Sequence, residues 1–217
     1  VEIVAEKGTN KRWGGAEADL PTMLRVIESV SAACMSTGWI TSFYIGHNVV
    51  AAKFPEAAQE EMFGPRGFVL VPMSAANDLQ AKRVDGGWIV SGRARWGSGI
   101  MHADWAVMFG NTQEGPRHFL IPADQVRIDD VWHVSGMAGT GSNDFVAEDI
   151  FVPEHRTMNT VEASMGASSG SALHDYPIYS LPFIVFAYAQ IAGVFSGGLR
   201  GMADAFQQIV AARVRNY

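Results

Sequence analysis

The sequence contains little cysteine, no cluster of basic residues and no metal-ligand spacing among its histidines. A single cysteine, Cys34, in 217 residues excludes an internal disulfide and a cysteine-based zinc site. The net charge of -6 argues against nucleic acid as a partner, because phosphate binding needs clustered Lys and Arg. We expect no metal site. Because Cys34 lies on the apolar face of a predicted helix, we expect a buried and inert thiol.

Uncharged runs long enough to cross a membrane are scarce as well. Residues 1–11 lack the basic start and apolar core of a signal peptide, which favours a cytoplasmic protein. Residues 181–199 contain no charged residue and approach the length of a membrane span. Pro182 and Gln190 interrupt this run, and an apolar helix is equally typical of a bundle centre or a subunit interface. We therefore predict a buried bundle helix and no membrane, with a close neighbour along Gly193, Gly197 and Gly201.

The residues that are present divide the chain into three regions. Residues 20–63 repeat apolar positions at helical spacing, with Asp19 placed to cap the first helix and Pro55 to open the third. Residues 67–152 are predicted to form strands, and residues 157–171 a polar loop. Residues 178–213 predict one long helix.

The middle region predicts a small β-barrel or sandwich. Asp85-Gly86-Gly87 is a strong hairpin signal, because these residues accept positive φ at little cost. The predicted strands are 68–71, 82–84, 88–90, 105–109, 117–121 and 145–152. With the flanking helices, this pattern predicts an α+β fold.

The run Gly139-Thr140-Gly141-Ser142 superficially suggests a loop that binds phosphate. A dinucleotide fingerprint needs a strand before its glycines and a helix after them, so that the phosphate meets the helix N-terminus. Here residues 145–152 predict a strand, and no lysine follows the glycines. We therefore expect neither a Rossmann site nor a nucleotide P-loop, and a tight β-turn is the simpler interpretation.

Two stretches of the middle region carry most of the functional information. The first is Trp96-Gly-Ser-Gly-Ile-Met-His-Ala-Asp-Trp105, and the second runs from Trp132 through Gly139-Thr-Gly-Ser-Asn-Asp144 to Val152-Pro-Glu-His-Arg156. In this order they resemble the middle domain of the acyl-CoA dehydrogenase-like flavin monooxygenases. These proteins are the oxygenase components of two-component systems.

The resemblance implies a three-part architecture. N-terminal helices would occupy residues 1–66, a middle β domain residues 67–156, and a loop with the first long helix of a C-terminal helical domain residues 157–217. The family has further helices before and after these positions, so the resemblance implies a chain truncated at both ends.

The resemblance also implies a flavin site. The segment from Trp96 to Gly99 would run beside the isoalloxazine ring, with Trp96 packed on the ring and Ser98 hydrogen-bonded to its N5 and O4 edge. Thr140 and Ser142 would be hydroxyl donors near the flavin and the substrate mouth. The simpler interpretation of Trp96 is a core aromatic residue.

His47 has two interpretations. A lone histidine on an apolar helix face is more often a core residue with a satisfied hydrogen bond than a catalyst. The family commonly has a histidine at this point that faces the substrate cavity, where an imidazole would orient or deprotonate a phenol.

Because the sequence offers no nicotinamide site, the resemblance implies reduced FMN or FAD supplied by a separate reductase. The implied reaction uses this flavin and O2 to hydroxylate a small aromatic or polycyclic substrate, and the family forms homotetramers. Two alternatives stay open. Acyl-CoA dehydrogenases share the architecture, but residues 71–78 lack their Gly-Ser-Asp stretch. A non-catalytic flavin-fold protein is favoured by Ala138, where the family usually has a basic residue.

Overall fold

The computed structural model describes residues 9–214, without the side chains of Asn77 and Val214. Residues 1–8, on which the predicted absence of a signal peptide partly rests, lie outside the described residues. The mixed class of helix and sheet is confirmed. The helices are α1 (Leu20–Ala33), α2 (Met35–Ala51), α3 (Glu56–Phe63), α4 (Thr160–Ser164) and α5 (Phe183–Val214).

The first helix, α1, begins and ends for identifiable reasons. The Asp19 carboxylate accepts a hydrogen bond of 2.8 Å from the Thr22 amide, and Pro21 occupies the first turn, as predicted. The helix ends at Ala33, and the extended backbone of Cys34 separates α1 from α2. The thiol is exposed, so the prediction of a buried cysteine is wrong. The residue lies at a helix junction rather than on a packed helix face.

Residues 9–214 contain eight strands: β1 (Ala76–Asn77), β2 (Leu79–Val84), β3 (Gly87–Gly97), β4 (Trp105–Thr112), β5 (Gly115–Pro122), β6 (Arg127–Asp129), β7 (Asn143–Pro153) and β8 (Thr157–Asn159). They form one connected sheet in the order β6-β7-β3-β2-β4-β5-β8, with β1 also paired to β3. The predicted hairpin is confirmed, because Val84 pairs with Gly87 across the two-residue turn Asp85-Gly86, where Gly86 has φ +75°.

The strand predicted at residues 68–71 is wrong, although the segment is buried. Its amides bond to side chains instead of a neighbouring strand. The Val69 amide donates to Asn48 Oδ1 over 3.1 Å, and the Leu70 amide donates to Asp104 Oδ2 over 2.8 Å. An apolar run cannot reveal such partners, because they belong to distant parts of the sequence.

The predicted polar loop at residues 157–171 is partly wrong, since it contains β8 and α4. The Asn159 side chain accepts hydrogen bonds from the amides of Val161 and Glu162, which satisfies the start of the short helix. This capping residue was the sequence signal for α4.

The long helix α5 packs closely on α1 along its glycines, so the predicted close neighbour lies within the same chain. A Cβ atom added at Gly197 would lie 2.2 Å from the Glu28 carbonyl oxygen, and one at Gly201 would lie 2.1 Å from that of Ala32. The helix is buried on this side only. Large apolar side chains on the rest of its surface are exposed, among them Tyr188, Phe195, Leu199, Met202 and Phe206.

By length and composition alone, residues 183–213 of α5 are sufficient to cross a membrane. The core helices of water-soluble proteins pass the same test. Among the described residues, α1 covers one face of α5, and the opposite face is exposed.

Replacing Gly197 with Leu should destabilise the fold by about 3 kcal/mol or more, because the new side chain must push α5 away from the α1 backbone. The free energy of unfolding, measured by chemical denaturation, tests this expectation. Ala57→Leu adds a side chain at an exposed position of α3 and is the control. Equal stability of the two variants would show that the helices do not touch at Gly197.

Candidate functional site

A cavity of about 710 Å³ lies between α2, the end of β3, the turn before β7 and α5. Its wall is aromatic, sulfur-containing and hydroxylated, with no charged side chain from the described residues. The lining residues are Met35, Trp39, Phe43, Met73, Ser74, Ala75, Ala76, Trp96, Ser98, Trp132, Met137, Thr140, Ser142 and Phe195. This volume and composition are typical of a site for a small organic molecule.

An irregularity in β3 places Trp96 at the cavity. The pairing of β3 with β7 shifts between Ala94 and Gly97, and Trp96 there has φ +61°. A bulky residue in this left-handed region is strained, and surrounding contacts must hold it. The Trp96 amide donates to Asp144 Oδ1 over 3.3 Å, and Asp144 Oδ2 accepts from Arg93 Nη1 over 2.9 Å. The indole is 60% exposed at the cavity.

Three hydroxyl groups form a row along the cavity wall. The Ser98 and Ser142 oxygens are 2.9 Å apart, and those of Ser142 and Thr140 are 2.7 Å apart. Trp39 Nε1 donates to Ser98 Oγ over 3.1 Å at one end. The Thr140 hydroxyl donates to the Met137 carbonyl over 2.9 Å at the other end. The row is polar, yet each of its members is bonded within the protein.

Gly99 connects the two loops that carry these hydroxyls. Its amide donates to the Thr140 carbonyl over 3.0 Å, and its carbonyl accepts from the Tyr44 hydroxyl over 2.7 Å. Its φ of +83° favours glycine, and an added Cβ atom would lie 2.6 Å from the Tyr44 oxygen. Gly99 lies outside the lining set, so the structure assigns it a backbone role, and its predicted contact with a cofactor stays a prediction.

His47 lies outside the lining set as well. Its Nδ1 is 2.7 Å from the Val71 carbonyl oxygen, so Nδ1 carries the proton and Nε2 is the free base. Burial lowers the pKa of this imidazole to about 4 and outweighs the opposing hydrogen bond to Val71. The ring packs against Phe43, which lines the cavity, with centroids 5.1 Å apart. A catalytic role for His47 stays a prediction, and hydrogen-bond acceptance suits this neutral ring better than deprotonation.

The structure brings four of the six predicted site residues to one cavity: Trp96, Ser98, Thr140 and Ser142. Sequence reasoning missed Trp39 and Phe43. These residues precede His47 at helical spacing of four, and together they form an aromatic stripe on α2. That spacing was the available signal. Ala138, which begins the short helical turn up to Thr140, is exposed.

The arrangement suits a flat, aromatic, hydrogen-bonding ring. Indole and phenyl side chains offer stacking surfaces, and the hydroxyl row offers a polar edge in an otherwise apolar wall. The wall holds no described basic residue, so a phosphate attached to such a ring would lie outside the cavity.

Comparison with curated proteins finds relatives over most of this chain, whereas no protein-family model matches it. A pigment production hydroxylase from Rhodococcus sp. is 42% identical over 205 residues, which cover 92% of this chain and 53% of the relative. The oxygenase subunit HsaA of a flavin-dependent monooxygenase from Rhodococcus jostii is 37% identical over 210 residues, covering 94% of this chain and 55% of the relative.

Over most of its length the chain is similar to the oxygenase subunit of a flavin-dependent monooxygenase. The chain spans about half the length of the curated relatives that it matches.

Two solved structures share the fold of this chain over most of its length. The 3-HSA hydroxylase from Rhodococcus sp. RHA1 superimposes with a TM-score of 0.93 at 35% identity, covering 99% of this chain and 57% of that one. XiaF from Streptomyces sp., solved in complex with FADH2 and glycerol, gives a TM-score of 0.82 at 33% identity, covering 90% and 50%.

The low pKa of His47 predicts a measurable dependence of stability on pH. The unfolded chain takes up a proton near pH 6.5, whereas the folded imidazole does so near pH 4. Stability is therefore lost as the pH falls through this window, by at most about 1.4 kcal/mol per pH unit from His47. His47→Asn retains an N–H group for Val71 and removes the titration, so unfolding free energies between pH 6.5 and pH 4 should decline less steeply. Identical slopes for both proteins would contradict a neutral buried His47.

Proposed function

We propose that this protein is the oxygenase component of a two-component monooxygenase that hydroxylates a small aromatic or polycyclic substrate. The observation that supports this proposal most directly is the uncharged aromatic cavity with its single row of hydroxyl groups. Relatives named as flavin-dependent oxygenase subunits support it independently. We also propose the architecture of an acyl-CoA dehydrogenase. Residues 1–66 would belong to the N-terminal helices, residues 67–156 to the middle β domain, and residues 157–217 to a loop and the first long helix of a C-terminal helical domain.

The proposed cofactor is reduced FMN or FAD, delivered by a separate reductase in the cytoplasm. When bound, reduced flavin supplies the electrons that activate O2 for transfer of one oxygen atom to the substrate. The cavity fits its ring system, because indoles of Trp39, Trp96 and Trp132 surround a space with one hydrogen-bonding edge. The ring would be held by Trp96, Ser98, Thr140 and Ser142.

The protein itself would contribute by excluding water from the cavity and by orienting the flavin and the substrate. The cavity wall carries no described charge that would retain water, and Met35, Phe43 and Phe195 contribute apolar surface. The hydrogen bond from the Trp96 amide to Asp144 holds the backbone of Trp96, and its indole lines the cavity, where a ring would pack against it. An aromatic substrate beside that ring would meet apolar side chains.

The function is tested with full-length protein, chemically reduced FMN or FAD, O2 and a panel of phenols. We expect hydroxylated product, identified by mass spectrometry, with little release of hydrogen peroxide when a substrate fits. Reduction of bound oxidised flavin by an acyl-CoA, without an oxygenated product, would overturn the proposal in favour of a dehydrogenase.

Ser98→Ala is the matching variant in this assay. The loss of one hydrogen bond at the cavity should lower the ratio of product to O2 consumed by about threefold to tenfold. Ser91→Ala is its control, because it removes a hydroxyl bonded to Asp149 on the sheet surface, outside the cavity. Equal loss of coupling in both variants would remove Ser98 from the site.

The exposed apolar side of α5 supports a further part of the proposal, a soluble homotetramer in which other subunits cover this helix. Side chains such as Tyr188, Met202 and Phe206 are each 66–67% exposed, and contiguous apolar surface of this kind marks an interface. Light scattering from detergent-free protein should give the mass of a tetramer. A well-behaved monomer, or protein recovered only from membranes, would contradict this assembly.

A further inference from the structure

The hydroxyl row along the cavity has a direction that follows from its two ends. Trp39 Nε1 can only donate a hydrogen bond, and the Met137 carbonyl can only accept one. Between these ends stand three hydroxyl groups, each with a single proton. All four contacts are satisfied in one arrangement only: Ser98 donates to Ser142, Ser142 donates to Thr140, and Thr140 donates to Met137.

In this arrangement every hydroxyl proton is used inside the protein. Ser98 Oγ accepts from Trp39 and donates to Ser142, which leaves one lone pair for a molecule in the cavity. The reversed arrangement loses the bond from Thr140 to Met137 and turns the Ser98 proton towards the cavity. The direction of the Thr140 hydroxyl proton therefore decides whether Ser98 presents a lone pair or a proton to the cavity.

The Met137 carbonyl is the anchor of this arrangement. It accepts from the Thr140 amide over 3.0 Å and from Trp132 Nε1 over 3.1 Å in addition to the Thr140 hydroxyl. Three donors on one oxygen hold the carbonyl firmly in place.

We propose that Trp39, Ser142 and Thr140 are positioning residues that make Ser98 a hydrogen-bond acceptor, so that the cavity selects reduced over oxidised flavin. This inference rests on the proposed function. Reduced flavin carries N–H groups where the oxidised ring has bare nitrogens that only accept, and a wall whose hydroxyl protons are engaged favours the N–H form.

The row also cannot take a proton away from its ligand. Its members are an indole, three hydroxyl groups and a backbone carbonyl, and none of these holds an added proton near neutral pH. A proton on the ligand at Ser98 therefore has no exit along this path.

The test compares dissociation constants of reduced and oxidised FMN, and of both forms of FAD, for the full-length protein by anaerobic titration. Thr140→Val removes the acceptor of the Ser142 proton, which then turns to Ser98 and drives the Ser98 proton into the cavity. We expect the ratio of the oxidised to the reduced constant to fall by about threefold to tenfold, the equivalent of one hydrogen bond. Thr140→Ser should restore the original ratio.

Ser142→Ala is a second variant that frees the Ser98 proton directly, and it should lower the same ratio even if Thr140→Val folds poorly. The matched control is Thr157→Val, a buried threonine outside the cavity whose hydroxyl donates to the Glu154 carbonyl over 3.0 Å. It should alter stability but leave the ratio unchanged. A ratio within twofold of the original in both cavity variants would overturn the inference while leaving flavin binding intact. Failure of the unaltered protein to bind either form would overturn the proposed function as well.

Discussion

The junction between α2 and the turn after β3 is the contact on which the cavity depends. Trp39 donates to Ser98 and Tyr44 donates to the Gly99 carbonyl, so two side chains five residues apart on α2 hold consecutive residues of the turn. The amide of Gly99 then binds the Thr140 carbonyl, which brings the turn before β7 to the same place. The close approach of Tyr44 leaves no room for a side chain at position 99.

An apolar cavity imposes a strict requirement on the polar groups in its wall. A buried hydroxyl without a partner costs about 1–3 kcal/mol, so the row of hydroxyl groups is stable only when each member is bonded. Strain is retained at the same wall, because Trp96 and Met137 both have positive φ. Such conformations persist where neighbours over-determine them, as Asp144 does for Trp96. Satisfied hydroxyls and strained backbone are therefore two aspects of one rigid wall.

Local signals predicted the parts of the fold that local contacts determine. Asp19 caps α1 and Asp85-Gly86 turns the hairpin, and in both cases the cause and its effect lie within a few residues. The segment 68–71 was misassigned because its amides bond to Asn48 and Asp104, which no nearby residue reveals. The hydrogen bond between Trp39 and Ser98 could not be predicted for the same reason, because Ser98 lies 59 positions further along the chain. The resemblance carried the prediction of Trp96, Ser98, Thr140 and Ser142, which the cavity brings together.

The helix α5 connects the packing of the N-terminal helices to the shape of the cavity. Gly197 lies against the Glu28 carbonyl of α1, whereas Phe195, two residues earlier, lines the cavity. Gln190 on the same helix donates to the Ser42 carbonyl of α2 over 2.7 Å, which fixes the helix against the second wall as well. The distance between α1 and α5 therefore sets how far Phe195 reaches into the site. Glycine at position 197 is required by the site as much as by the helix pair, since any larger residue would move Phe195 outward with the helix that carries it.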